Sequence, residues 1–600
     1  MRREALAGLC GLSLSGVALA QPLPVIRVSS DDRAPGTSYD FAALGPPHIN
    51  SAGQIVFWGV TTQVSGFGIW RWDPVLLDSE LVALSGGSAA GHVFHTFNND
   101  PSINDGGVIA FAATLRPSHE GRSGVFKGTP GSLSPIAVSG ATAPGTNETF
   151  LSFFQSGLST PVHINNSGDV AFFAWLNNSA GGSWYYHEGS PATIGLVVVD
   201  DMILPSTLPP PFGGARISGP RIEINHDGQV AYVAAAADGN AMRYAYFCGD
   251  VGASQSQLFR FGYGDSLSMP CPLGVCQRSA DTVIGGPFLS GAGQAAMSWT
   301  FGYPMLPAEN AVLQTELPQP PTAPPPVADS FVQMAGGRNA APFYTPSITV
   351  PSGTYPAMDH QGRSVFAFQR TPEPPISLYQ DTVVAYWIGG PEYKVIAHEG
   401  SAPRCITVDL APPVDPPVEE WTWSDFLNPE KKNAPSFVMA QVMNEVGQAV
   451  MLGNVRRDTP SGPEGRDLMY GMDLRFNRRY RVLAQGDLLG GRVVNDMVLG
   501  HPTGVDVRDN QNAGRAVIND CGVVAFLVTF ENGTYSICTW KMPAPADING
   551  DGLVNVTDYV VFGNLASAEH CKADFDDDGE ISANDYILFM NAYAIGQACP

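Results

Sequence analysis

"HINSAGQIVFWG", residues 48–59, places an Asn three positions ahead of a Gly and follows the pair with a run of β-branched and aromatic residues. Asn closes a side-chain-to-backbone turn and Gly accepts a positive φ, so the stretch reads as strand, tight turn, strand. The arrangement returns in "PSINDGGVIAFAA" from Pro101, "HINNSGDVAFFAWL" from His163, "EINHDGQVAYVAAA" from Glu223 and "VINDCGVVAFLVTF" from Val517. Weaker copies are "FLSGAGQAAMSWTF" from Phe288, "AMDHQGRSVFAFQ" from Ala357 and "VMNEVGQAVMLG" from Val442, which makes eight. Their turn residues are Asn50, Asn104, Asn165, Asn225, Ser290, Asp359, Asn444 and Asn519, recurring roughly every 55 to 85 residues. Each unit then has room for four strands and their loops. The strand after each turn, such as "VAFFAW", is apolar at nearly every position, which suits a sheet covered on both faces.

A second recurring piece separates these hairpins: "ELVALSGGSAAG" from Glu80, "PIAVSGATAPGTNETF" from Pro135, "KVIAHEGSAP" from Lys394 and "YRVLAQGDLLGG" from Tyr480. It reads as one further strand ending in a Gly/Pro loop. "VIRVSSDDRAPGTSYDF" from Val25 is the same piece with no hairpin before it, whereas the eighth hairpin runs into "KMPAPA" with no such strand after it. A spare strand at one end and a missing one at the other are what a ring requires when its two ends complete one blade. The expected fold is mainly β: an eight-bladed β-propeller over residues 21–540, closed by the N-terminal strand, a form that leaves no long edge strand exposed.

Composition agrees, with 66 Gly and 50 Pro, 10% aromatics and only 15% charged residues. Gly and Pro punctuate short strands and fit helix interiors badly. A formal net charge of −24 argues against nucleic acid and anionic membrane surfaces, which demand clustered Lys and Arg. "MRREALAGLCGLSLSGVALA", residues 1–20, has the layout of a cleavable secretory signal ending near Ala20, so export to the cell surface or beyond is expected. No later run is long and apolar enough to span a bilayer. Cys10 leaves with the signal; of the remaining cysteines, Cys271 and Cys276 bracket a short loop, and the pairing of Cys248, Cys405, Cys521 and Cys538 stays open. None has zinc-site spacing.

The charges that exist gather near the end. In "DINGDGLVNVTD", Asp547, Asn549, Asp551, Leu553, Asn555 and Asp558 fall at positions 1, 3, 5, 7, 9 and 12 of a loop that turns at Gly552. In "DFDDDGEISAND" the same positions are Asp574, Asp576, Asp578, Glu580, Ser582 and Asp585, with Gly579 at the turn. A hard Ca²⁺ ion takes about six to eight oxygens, and alternate residues of a tight loop aim theirs at one point, Leu553 and Glu580 through backbone carbonyls. Two Ca²⁺ ions are therefore expected. Each loop is followed by a short amphipathic helix, "YVVFGNLASA" and "YILFMNAYAI", in which Tyr559 matches Tyr586 and Phe562 matches Phe589.

Loop then helix in duplicate, with Asp at position 12 and "KMPAPA" breaking any helix ahead of the first loop, resembles a type I dockerin over residues 547–600, after a linker at 541–546. That resemblance implies a calcium-folded module that docks on a cohesin-like partner. Its recognition positions fall on Val556 and Thr557 and on Ala583 and Asn584; the basic residues many dockerins carry later in the helix are absent, as Asn564 and Leu565 show. Cys571 and Cys599 are an addition to the family pattern, placed to staple the module. Residues 25–540 resemble exported "IN-x-x-G-x-VAF" repeat proteins of planctomycete-type bacteria, which implies a propeller-like fold and no assigned activity.

The body carries no HExxH, P-loop, dinucleotide glycine signature or nucleophile elbow. His119-Glu120, His187-Glu188 and His398-Glu399 are adjacent pairs that point to opposite faces of a strand. Glu419, Glu420 and Asp425 are carboxylates of a long insertion that carries two Trp, the preferred place for a ligand surface. No residue is assigned a catalytic role. Function then divides between a secreted, non-catalytic binding or scaffold protein, perceiving a glycan or another exported protein, and a polysaccharide-degrading enzyme or accessory subunit carrying a dockerin. Carboxylates clustered in the central funnel favour the enzyme.

Overall fold

A computed structural model describes residues 23–199 and 438–595 of the chain, apart from 64–65, 99, 118–121, 155–161, 179–180, 445, 460–461, 477, 500–516, 550–552, 569, 571–572 and 576–579. Between 217 and 423 it describes the strands, for most of them the backbone alone. The signal at 1–20, Asn225, Ser290, Asp359, the carboxylates Glu419, Glu420 and Asp425, and the cysteines Cys571 and Cys599 lie outside the described residues.

The described strands form eight antiparallel sheets that follow one another along the chain. The first sets Phe41–Ile49, Ile55–Thr61, Phe67–Asp73 and Asp78–Leu84 side by side in chain order. The second is built on Ile109–Leu115, Ser123–Thr129 and Ser132–Val138, and the third on Val170–Leu176, Gly181–His187 and Thr193–Val199. Ile217–Ile224 opens the fourth, Gly274–Leu289 lies in the fifth and Ser364–Arg370 in the sixth. Gln448–Thr459, Gly462–Asp473 and Arg478–Ala484 belong to the seventh. The eighth joins Arg492–Val498, Val523–Phe530 and Tyr535–Lys541 to Val25–Ser29, from the opposite end of the chain. Val25 faces Thr539, Ile26 faces Cys538, Val28 faces Ile537 and Ser29 faces Ser536.

Each sheet packs on the next, and Phe41–Ile49 of the first lies beside Val523–Phe530 and Tyr535–Lys541 of the eighth. A cycle of twisted antiparallel sheets is a β-propeller. Its core lies between sheets, because alternate residues of a strand face opposite neighbours. Ile55 and Phe57 enter the cluster shared with Ala525, Leu527 and Ile537 of the eighth sheet, while Val56, between them, enters the cluster shared with Phe94, Phe111 and Phe126 of the second. One aromatic arrangement repeats: Phe41 against Trp70, Phe94 against Phe126 and Phe150 against Trp184 meet edge to face at 4.9, 5.0 and 5.0 Å.

The "APGT" pieces sit between consecutive sheets and seal them. Ala34 and Ala143 are fully buried, and the carbonyls of Pro35 and Pro144 accept the indole N–H of Trp70 at 3.1 Å and of Trp184 at 3.0 Å. Gly36 and Gly145 have φ of +76° and +78°, and a Cβ on either would lie 2.7 Å from Leu81 or Leu196. Both the conformation and the close approach require glycine.

The turn asparagines do more than close their own hairpins. Asn50 accepts the Gln54 N–H through Oδ1 at 2.8 Å and donates through Nδ2 to the carbonyl of Asn104 at 2.9 Å. Asn104 donates likewise to Asn165 at 3.0 Å, Asn444 to Asn519 at 2.8 Å, and Asn519 back to Asn50 at 3.0 Å. Five buried asparagines thus link sheets seven, eight, one, two and three in a belt, and the last bond joins residues 469 apart in the chain. Beside the belt, His48 Nε2 meets Asp100 Oδ1 at 2.8 Å, and His163 of the third sheet lies within electrostatic reach of both. Burial pushes the His163 imidazole down to about 4, against the attraction of Asp100 and with the repulsion of His48.

Asn104→Ala removes one inter-sheet bond and one turn bond from a buried site, so the urea midpoint followed by Trp fluorescence should report a loss of about 2 to 4 kcal/mol. Ser51→Ala, exposed beside the belt, should change stability by less than about 0.5 kcal/mol. His163 has a folded pKa below its unfolded one, so its contribution is present above pH 6.5 and is lost as pH falls toward 4. In His163→Gln the fall in unfolding midpoint between pH 7 and pH 4 should be shallower than in the natural chain; parallel curves would contradict this.

Candidate metal site in the C-terminal loops

Beyond Lys541 the chain continues through Met542 and Ala546, both buried, into two loop-and-helix units whose helices are α1 (Val556–Ser567) and α2 (Ala583–Ile595). The units repeat with an offset of 27 residues, so Ala546, Ile548 and Phe562 of the first correspond to Ala573, Phe575 and Phe589 of the second. All six are buried in one core. Phe562 and Phe589 stack with centroids 4.2 Å apart, and Phe575 meets both edge to face at 5.6 Å. Tyr559 and Tyr586 lie only partly within this face, at 49% and 40% exposure, because the two phenylalanines already fill the space between the helices.

The polar framework repeats too. Asp558, wholly buried, accepts the N–H groups of Ile548 at 3.0 Å and Asn549 at 3.2 Å on Oδ1, and that of Asn555 at 2.9 Å on Oδ2. Asp585, equally buried, accepts Phe575 N–H at 2.5 Å on Oδ1 and Ser582 N–H at 2.7 Å on Oδ2. Asn555 caps α1 by accepting Thr557 N–H at 2.8 Å, and Ser582 does the same for Asn584 N–H at 3.1 Å. Position 12 therefore ties the start of each loop to the start of its helix in a capping box, and position 9 serves as the N-cap. The short Asp side chain gives just this reach.

Of the twelve positions read from the sequence, Asp547, Asn549, Leu553, Asn555 and Asp558 in the first loop and Asp574, Glu580, Ser582 and Asp585 in the second are described. Asp551, Asp576 and Asp578 lie outside the described residues. Asp547 and Asn549 are buried, as are the Oδ1 atoms of Asp547 and Asp574. Carboxylate, amide and carbonyl oxygens gathered on one loop are a hard donor set, of a kind that could hold Ca²⁺. Among the described residues, no three His, Cys, Asp or Glu side chains converge as a metal site.

The body offers no comparable centre among its described residues. His187 Nδ1 lies 2.9 Å from Asp169 Oδ1, and Glu188 pairs with Lys127, whose ammonium donates to the Gly168 carbonyl at 3.0 Å. The His187-Glu188 pair thus fastens the third sheet to the second. Asp467 is pushed up to about 6 by burial and by the neighbouring Asp496, and accepts a hydrogen bond from Asn454. The two carboxylates belong to adjoining sheets, seven and eight. Cys538 is a buried free thiol, pushed up to about 12 by burial, which makes it a poor nucleophile. No described helix is long and apolar enough to cross a membrane.

Residues 13–185, well under half of the chain, match a family of unknown function, DUF7453. No curated protein matches the chain. Among solved structures, the β-propeller domain of the Trilobed protease from Pyrococcus furiosus is 9% identical, covers 74% of this chain and 98% of its own, and gives a TM-score of 0.33. Polysaccharide lyase Uly1 is 9% identical over 87% of this chain and 97% of its own, with a TM-score of 0.36. The WD40 domain of SCAP from fission yeast is 10% identical over 87% and 94%, with a TM-score of 0.35. Likenesses of this size carry no argument about activity.

Proposed function

We propose that the chain is a secreted, non-catalytic binding or scaffold protein: an eight-bladed propeller, closed by its N-terminal strand, presents a ligand surface, and a calcium-dependent, dockerin-like module attaches it to a cohesin-like or other extracellular partner. A glycan is the ligand class in view. The observation that carries this reading is the duplicated carboxylate framework, Asp558 and Asp585 each holding a loop start against a helix N-cap around a set of oxygen donors. Evolution of one such loop by chance is easy; two in the same register, packed on a shared core, speak for a metal-organised module.

An outward apolar surface supports the docking half. Val556, Tyr559 and Val560 on α1 and Tyr586, Ile587 and Met590 on α2 are between 40% and 69% exposed. Tyr559 and Val560 correspond by the 27-residue offset to Tyr586 and Ile587, so the surface is doubled like the loops beneath it. Exposed apolar groups clustered on a small module are what a protein partner covers.

Titration of the chelator-treated full chain with CaCl₂ in a calorimeter should register two ions per chain, with Asp547→Asn and Asp574→Asn each removing one. No heat of uptake would end the calcium reading. On a glycan array with reducing-end detection, binding without released sugar is expected; released sugar would overturn the non-catalytic assignment.

A further inference from the structure

The hairpin between Gly462–Asp473 and Arg478–Ala484 turns one side of its return strand toward the C-terminal module. Phe476, at its tip, is buried in the module's own core with Ile548, Phe562, Phe575 and Phe589. Two residues on, Arg478 is fully enclosed; its Nε donates to the Pro545 carbonyl at 3.2 Å, and its guanidinium carbon lies 3.7 Å from the centroid of the Phe575 ring. Two further on, the buried Tyr480 donates its hydroxyl to the Pro543 carbonyl at 3.4 Å and sets its ring against Trp540 of the eighth sheet, with centroids 5.9 Å apart. Residues at every second position share one side of a strand.

The first sheet holds the same hairpin without this partner. Asp73 lies opposite Asp78 as Asp473 lies opposite Arg478, and Gln54 and Gln448 donate to the two carboxylates at 2.8 and 3.3 Å. Each carboxylate also closes its turn, on the N–H of Val75 at 2.8 Å and of Arg475 at 3.2 Å. At the positions of Phe476, Arg478 and Tyr480 the first sheet carries Leu76, which is 58% exposed, Asp78, which is exposed, and Glu80, which pairs with Arg71. What sets the seventh sheet apart is the tail that its three residues touch.

That tail leaves from the eighth sheet. Beyond Lys541, Met542 donates its N–H to the Gly522 carbonyl at 2.8 Å, and its side chain is buried in the cluster that Tyr480, Val482 and Leu483 of the seventh sheet share with Phe526, Val528 and Trp540 of the eighth. The two sheets approach closely here, since a Cβ on Gly471 would lie 2.7 Å from Trp540. The module is thus joined by covalent chain to one sheet and by a buried aromatic plug to its neighbour.

We propose that the C-terminal module is a clasp across the seventh and eighth sheets. Parting the sheets draws Phe476 out of the module's core, and unfolding the module strips the cover from Phe476, Arg478 and Tyr480. Each event therefore opposes the other, and the coupling is reciprocal. The clasp adds to the closure made by the strand Val25–Ser29 and holds whatever the module binds.

Hydrogen exchange read by mass spectrometry on the full chain tests this. Phe476→Ser, which leaves the seventh hairpin a small polar tip, should raise exchange about tenfold in α1, α2, Gly462–Asp473 and Val523–Phe530 and leave Ile109–Leu115 and Val170–Leu176 unchanged. Phe562→Ala, which acts from inside the module, should loosen the same strands of the seventh and eighth sheets. Leu76→Ser, at the matching tip of the first sheet, should loosen none of these segments. Loosening confined to the module in either variant, no loosening in Phe476→Ser, or the same loosening from Leu76→Ser overturns the proposal. Should Phe476→Ser not fold, Tyr480→Phe, which removes the bond to Pro543 and keeps the ring on Trp540, takes its place under the same criteria, with a rise of about threefold.

Discussion

One hydrogen bond, from the Asn519 amide to the Asn50 carbonyl, joins the two ends of the body across 469 residues of sequence. It works together with three similar asparagines, Asn50, Asn104 and Asn444, that carry the same donation from sheet to sheet, each amide oxygen closing its own turn while the amide nitrogen crosses to the next carbonyl. Both ends of a short side chain are used in a buried setting, where an unmade bond costs about 1 to 3 kcal/mol. That is why the residue is Asn and why the Gly three places on must adopt a positive φ. Closure of the cycle is held by this belt together with the strand Val25–Ser29.

Much of this was legible in the sequence, and the limits of legibility are physical. The eight hairpins could be found because turn chemistry is local: Asn, Gly and the apolar run lie within about ten residues. The spare strand at Val25 was legible because it repeats the piece seen from Glu80, Pro135, Lys394 and Tyr480, while the eighth hairpin has none after it. The inter-sheet role of the asparagines was not, since the accepting carbonyl lies 54 to 75 positions away within the body and nothing in a chain announces a carbonyl. The "APGT" pieces were visible as a repeat, yet their capping of Trp70 and Trp184 needs the third dimension. In the tail, loop register and the buried Phe562 and Phe589 were readable from spacing, whereas Tyr559 and Tyr586 turn partly outward. Phe476 and Arg478 gave no signal at all, because their partners lie some 70 to 115 residues further on, in another unit.

That last contact changes how the tail relates to the body. Residues 541–546 read as a linker, but Met542 and Ala546 are buried, Pro543 accepts the Tyr480 hydroxyl at 3.4 Å and Pro545 accepts from Arg478. A side chain of the seventh sheet completes the core of the helical module. The tail is thus seated on the propeller, and an excised tail would lack part of its own interior.

Closure of the ring by the N-terminal strand can be tested with a residue the chain already holds. Cys538 is a buried free thiol whose direct neighbour across the strand pair is Ile26, which packs against the same cluster. In Ile26→Cys, with directly opposed Cα atoms within disulfide reach, mild oxidation should link positions 26 and 538, recovered as one joined peptide in non-reducing mass mapping. A folded Ile26→Cys protein that leaves Cys538 unlinked would contradict the closure.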